Sequence, residues 1–593
     1  MNIQLQKLGA LYDNGMAAFN VWAPLRDKVE LLLGDRVLPM RRDDKGYWHT
    51  QCDAKPGDRY RYRLDGKDAY PDPVSFLQPD GVHGASALVD RNGFPWTDGG
   101  WRGLPLGNMI IYELHTGCFS PTHDFDGIVA RLDYLQDLGV NTIELMPLAQ
   151  FPGDRNWGYD GVYPFTVQDS YGGMDGLRRL VDAAHARQMA VIVDVVYNHL
   201  GPEGNYLRAF GPYFTQKYRT PWGEPLNFDD AWCDGVRNFF LEHARMWLED
   251  HHVDGLRLDA VHAIWDFGAY HFMQQLKDLA LDIEHRTDRK KVLIAEIDLN
   301  DPKYILPRDK GGYGLDGQWT DEFHHALHVT LTGERHSYYS DFSGIGDLEK
   351  AFRQTYVYNG NYSAHRKRRF GAHAEQNPLD QFVVFAQNHD QTGNRALGDR
   401  LSESLSDDAL MVAAAAVLLS PYVPMLFMGE EYGERNPFLY FISFDDEELV
   451  KAVRKGRQQE FQGADFADPQ SEESFLRSCL SWDLRGDRAR RLLDHYKQLI
   501  AFRKSRPAMQ GTTRDSLIVH PVEGRLLRFE RKSGHDHIVV WLYFGESPQV
   551  VRYDGEERLR KIFDPTGDRG ASIIDAGAEI TLLPYSVLVY EKE

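Results

Sequence analysis

Asp254-Gly255-Leu256-Arg257-Leu258-Asp259-Ala260-Val261 reads as a buried strand that carries two opposite charges. Residues two apart in a strand share a face. Arg257 and Asp259 therefore point one way, and Leu256, Leu258 and Ala260 the other. A cation beside a carboxylate in an apolar strand is either a structural ion pair or part of a site. The segments on either side of it decide the fold.

Working outward, strand-like runs alternate with helical ones. The runs at 109–114, 141–148, 190–196, 254–261, 292–296, 318–323, 382–386 and 423–428 make a series of eight. Between the first two, Ile128, Leu132 and Leu135 share a helical face, with Gly139 as the stop. Before the third, Leu177, Leu180, Val181 and Ala184 recur at i, i+3, i+4, i+7, with Asp175 placed as a cap. Strands apolar on both faces, each followed by a helix, predict an α/β fold, a (β/α)8 TIM barrel over 101–505. A span of about 400 residues exceeds the ~250 typical of the fold, so large inserted loops are expected. One of them, 199–235, carries Tyr206, Phe210, Tyr213, Phe214, Trp222 and Trp232, which either form a local core or wall a cleft.

The ends of the chain have a different rhythm. Residues 1–100 hold short alternating runs such as 18–23, 28–33 and 59–64, separated by Asn14-Gly15 and Asp65-Gly66 turns. They predict an N-terminal β-sandwich. Strand-like runs at 525–529, 538–544 and 586–590 predict a C-terminal antiparallel β-sandwich over 506–593.

Composition narrows the partners. The formal charge is 67 − 88 = −21, which disfavours nucleic acid or an anionic membrane as a partner. Cys52, Cys118, Cys233 and Cys479 are scattered, which fits a reducing compartment and offers neither a disulfide framework nor a cysteine zinc site. No basic, then apolar leader and no run of about 18 apolar residues occurs, so a cytoplasmic location is expected. His324-His325-Ala326-Leu327-His328 lacks partners at metal-ligand spacing. No metal, no cofactor and no obligate protein partner is expected. Glu430-Glu431 reads as a solvated or cleft-edge pair.

In such a barrel the chemistry lies at the C-terminal ends of the strands. Strand three ends Asp194-Val195-Val196-Tyr197-Asn198-His199, strand four ends Arg257-Leu258-Asp259-Ala260-Val261-His262, strand five ends Ala295-Glu296, and strand seven ends Gln387-Asn388-His389-Asp390. Gathering like charges at one barrel mouth is costly unless they do something. Three carboxylates without cysteine ligands or a phosphate-cradling loop suit glycoside chemistry. A carboxylate beside Arg⁺ stays ionised and can attack, while one crowded by other carboxylates keeps its proton and can donate it. This assigns Asp259 as nucleophile and Glu296 as acid/base.

The segments 194–199, 255–262, 295–296 and 387–390 resemble the four motif regions of the α-amylase family, glycoside hydrolase family 13. By position the resemblance implies that Asp259 is the nucleophile, Glu296 the general acid/base, and Asp390 the carboxylate that grips hydroxyls of the distorted sugar. It implies that Arg257 supports the nucleophile, that His199 and His389 bind sugar hydroxyls, and that Asp194 organises the site. Tyr159, in Trp157-Gly158-Tyr159-Asp160, matches a tyrosine that stacks under that sugar. His262 and Trp222 are added as substrate-binding candidates. Asn198 falls where many α-amylases bind calcium. Longer stretches, among them 198–207, 220–230, 318–328, 388–401 and 428–441, resemble one branch of the family, the maltooligosyltrehalose trehalohydrolases. That branch implies maltooligosyltrehalose and maltooligosaccharides as partners and release of trehalose. A glycogen-branching enzyme would use the same residues for transfer, and a glucan-binding scaffold would use none of them catalytically.

Overall fold

The computed structural model describes residues 4–221, 223–461 and 465–593. Its centre is a closed barrel of eight parallel strands. These are β1 Ile111–Leu114, β2 Thr142–Leu145, β3 Ala190–Val195, β4 Gly255–Leu258, β5 Val292–Ala295, β6 Gly317–Trp319, β7 Phe382–Phe385 and β8 Val423–Phe427. They pair in that order, and β8 closes onto β1 with Ile111 opposite Met425. Strand alternation splits each strand between two cores. Ile111, Ile192, Val292, Ile294, Val383, Phe385 and Met425 fill the lumen. Ile143, Leu145, Val193, Leu256, Leu258 and Leu293 turn outward and pack under the helices.

Three local readings are corrected. The segment expected as strand six to Phe323 turns after Trp319, and Asp321–Thr332 is a helix. Asp321 and Glu322 favour its positive N-terminal turn, Phe323, Leu327 and Leu331 share a face, and Gly333 ends it in left-handed backbone at φ 71. Asp175 is not a cap; the helix Gly173–Ala186 begins after left-handed Gly172, and Asp175 lies in its first turn. The single helix expected after β1 is two, Phe125–Val129 and Leu132–Leu138, with Gly139 stopping the second at φ 102.

Two antiparallel sheets, built on Met16–Trp22 and Val29–Leu33, form the N-terminal sandwich. The 199–235 insertion is what seats it on the barrel. Phe210 and Tyr213 are buried. Their rings meet Tyr62 at 6.3 Å and Trp22 at 5.1 Å, and Tyr206 meets Tyr70 at 5.5 Å. Tyr206, Phe210 and Tyr213 thus belong to an interdomain core. At the other end, helix Asp487–Ser505 leads into a six-stranded antiparallel sheet and a two-stranded one. No helix among the described residues is long and apolar enough to cross a membrane.

Candidate active site

The barrel lumen changes character toward its C-terminal end. The inward positions that follow Ile111, Thr142, Ile192 and Gly255 at spacing two are Glu113, Glu144, Asp194 and Arg257. Asp194 on β3 stands opposite Arg257 on β4 in the strand register. Arg257 is fully buried, and its Nη1 donates to Asp194 Oδ2 and to Asp259 Oδ1, each at 2.8 Å. Its Nη2 lies 3.8 Å from Glu296 Oε2. The guanidinium carbon sits 4.3 Å from the Trp319 ring centre. One cation therefore touches three carboxyl groups.

Asp259 follows β4 directly. Asn198 Nδ2 donates to its Oδ2 at 2.7 Å and to its backbone carbonyl at 2.9 Å. The Asn198 side-chain amide is thus committed to Asp259. His199 stands behind it, with Nε2 3.0 Å from the Tyr159 carbonyl. Glu296 follows β5. Its Oε2 accepts from the Ala260 backbone N–H at 2.6 Å, and Ala260 adopts left-handed backbone at φ 39 to present it. Burial pushes the Glu296 carboxyl well above its ordinary value; Arg257 opposes that, and Asp259, Asp321 and Asp390 add to it.

A second group of contacts fixes the floor. Tyr159 OH donates to Asp194 Oδ2 at 2.6 Å and lies 2.8 Å from His389 Nε2. The Tyr159 and His389 rings stack at 5.3 Å. His389 Nδ1 is 2.5 Å from Glu113 Oε1, and its backbone N–H donates to Glu113 Oε2 at 3.0 Å. Burial lowers the affinity of His389 for its proton, but Asp390 and Glu113 outweigh it and hold the imidazole at about 9. Burial raises Asp194 to about 6, against the pull of Arg257. Asp390 has a half-open side chain, with Oδ2 3.4 Å from His389 Nε2. His262, half-buried one turn after Asp259, has no hydrogen bond to its Nδ1 among the described residues.

The arrangement brings together Asp194, His199, Arg257, Asp259, Glu296, His389, Asp390 and Tyr159, with His262 at the edge. Trp222 lies outside the described residues. Three groups escaped the sequence reading. Glu113 braces His389 from β1. Glu144, on β2, is buried with neither oxygen hydrogen-bonded among the described residues, and burial and Glu113 push its carboxyl well above its ordinary value. Asp321 faces Asp390 from the helix after β6, and burial with Asp298 and Asp390 raises it to about 7. The signal for the first two was present: each breaks an apolar strand at the inward parity, as Arg257 does. Glu430 and Glu431, expected as a solvated or cleft-edge pair, are buried behind β8, where Tyr496 donates to Glu430 at 3.2 Å and Tyr134 to Glu431 at 2.8 Å. His324 of the histidine cluster is committed to the Ala386 carbonyl at 2.6 Å and to the Tyr339 hydroxyl at 2.8 Å.

The family model for the alpha amylase catalytic domain matches residues 91–221. Carbohydrate-binding module 48, the isoamylase N-terminal domain, matches residues 7–79. The malto-oligosyltrehalose trehalohydrolase of Saccharolobus solfataricus is 49% identical over 84% of this chain and 86% of its own. That of a Rhizobium species is 44% identical over 97% of this chain and 98% of its own. The crystal structure of a Salmonella typhimurium protein described as a candidate alpha amylase superposes with a TM-score of 0.91 at 33% identity, covering 99% of this chain and 100% of that one.

Proposed function

The chain belongs to the malto-oligosyltrehalose trehalohydrolase family, and from that premise we propose that it hydrolyses the α-1,4 bond joining a maltooligosyl chain to a terminal trehalose. Trehalose and a maltooligosaccharide are the products. The observation that carries this reading is the contrast in surroundings of two carboxyl groups on neighbouring strands. Asp259 is held between the Arg257 guanidinium and the Asn198 amide, while burial pushes the Glu296 carboxyl well above its ordinary value.

In the first step Asp259 attacks the anomeric carbon. The bond to the trehalose oxygen breaks, and Glu296 transfers its proton to that oxygen. Trehalose leaves, and the maltooligosyl group is an ester on Asp259. In the second step Glu296, now a carboxylate, takes a proton from water. The hydroxyl adds to the anomeric carbon and Asp259 is released, so configuration is retained. Arg257 and Asn198 hold and aim Asp259. The stacked Tyr159 and His389 form the platform under the sugar whose bond breaks, with His389 charged against Glu113. Asp390, half-open beside His389, takes hydroxyls of that sugar, with His199, His262 and Trp222 as further binding residues. The N-terminal sandwich serves as an α-glucan-binding module, consistent with the family it matches. A cytoplasmic site of action is supported by the four scattered, unpaired cysteines.

The test is chromatography of the products from maltooligosyltrehalose. Free trehalose is expected from the wild type and none from Asp259→Asn. Branched glucan without trehalose would sink the reading.

A further inference from the structure

We propose that the cavity between the N-terminal sandwich and the helix Cys233–Arg245 is a second binding site for the α-glucan chain, with Trp232 as its platform. The cavity measures about 600 Å³ and lies outside the barrel, away from the strand ends. That volume is in the range of small-ligand sites. The proposal rests on the reading that this protein acts on α-glucans.

Trp232 departs from the rest of its insertion. Phe210 and Tyr213 are buried, yet Trp232 is 45% exposed. Its backbone is left-handed at φ 69, a conformation unfavourable for a bulky residue, and its indole makes no ring contact among the described residues. A large apolar ring held into an open cavity is uncovered area that a flat ligand face can bury.

The walls are rigid. Gly235 lies flat on Trp22, so close that a Cβ there would sit 2.1 Å from the indole. Gln6 N–H donates to Asn238 Oδ1 at 2.8 Å, and Asn238 Nδ2 returns a bond to the Gln6 carbonyl at 2.9 Å. The sandwich and the helix are thereby tied together, and a ligand meets a preformed surface. The rim is different: among the described residues the side chains of Asp44, Lys45 and Asp234 make no hydrogen bond or ion pair. Two carboxylates and one ammonium of uncommitted bonding capacity suit vicinal hydroxyls. They disfavour an anion, which would meet the carboxylates, and a purely apolar ligand, which would desolvate all three. A glucosyl ring has the required form, with an apolar face for the indole and hydroxyls at its edge.

The test uses the full chain with Glu296→Gln, so that ligand is not hydrolysed, titrated with maltoheptaose by calorimetry. Adding Trp232→Ala removes one equivalent of bound maltoheptaose, and Asp234→Ala weakens the same equivalent several-fold. In the otherwise wild-type chain Trp232→Ala hydrolyses a short maltooligosyltrehalose at the normal rate but is retarded less in a glycogen-containing native gel. The same number of equivalents with and without Trp232 would overturn the proposal. If the wild type released no trehalose while Trp232-dependent retardation persisted, the catalytic reading alone would fail.

Discussion

Asn198 Nδ2 donates to the Asp259 carboxylate at 2.7 Å and to the Asp259 backbone carbonyl at 2.9 Å. The amide at the end of β3 thus fixes both the side chain and the main chain of the residue that ends β4. Hydrogen bonds to charged groups are worth about 1.5–3 kcal/mol. Asn198→Ala leaves Arg257 as the remaining hold on Asp259 and should lower kcat about 10- to 100-fold with little change in KM. Steady-state kinetics beside a circular dichroism spectrum checks this; an unchanged kcat would show that Arg257 alone suffices.

The Glu113–His389 pair predicts a pH dependence. His389 is raised from 6.5 to about 9 in the folded state. A raised folded value means that its contribution to stability is complete below pH 6.5 and is lost as pH rises through about 9. Glu113→Gln removes one of the charges that holds the proton. The stability difference between wild type and Glu113→Gln should therefore be largest near pH 6 and shrink by pH 9.5. Urea unfolding at the two values measures it. A difference that grows with pH would contradict the pairing.

The opposite end of the barrel makes a prediction about stability alone. His185 is buried between Asp98 Oδ2 at 2.8 Å and Asp254 Oδ2 at 2.9 Å. Trp101 Nε1 donates to Asp254 at 2.7 Å, and Arg289 to Asp98 at 2.9 Å. Burial opposes the His185 proton, but the two carboxylates outweigh it and raise the imidazole. Breaking a buried ion pair costs about 3–5 kcal/mol when it leaves a charge alone, and less here because Arg289 still holds Asp98 and Trp101 still bonds Asp254. His185→Ala should lower the urea midpoint accordingly while the folded enzyme keeps its kcat. A loss of kcat without a loss of stability would show that this cluster communicates with the strand ends.

The barrel was legible because its strands are apolar on both faces and its helices are not, so the period itself changes along the chain. The gathering of Asp259, Glu296 and Asp390 was legible because three carboxylates fall just after three strands of one barrel, and one such group alone could have been a structural ion pair. Glu113 and Glu144 sit inside their strands, where a single charge reads as an exposed edge until the inward parity is compared with Ile111 and Thr142. Strand six was overextended because Trp319 and Phe323 are spaced for either period, and only the acidic first turn and Gly333 favour the helix. The insertion aromatics could not be placed, because composition says that Phe210 and Tyr213 are buried and not which surface covers them. The Asn198–Asp259 contact was not legible for a related reason: the two residues are 61 apart in sequence and meet only across the sheet.

The central claim is a displacement at Asp259 assisted by Glu296, and proton NMR of the first turnovers on maltooligosyltrehalose tests it most directly. Double displacement predicts free trehalose together with a maltooligosaccharide whose new reducing end first appears as the α-anomer, and neither signal in Glu296→Gln. A reducing end that first appears as the β-anomer would contradict the account.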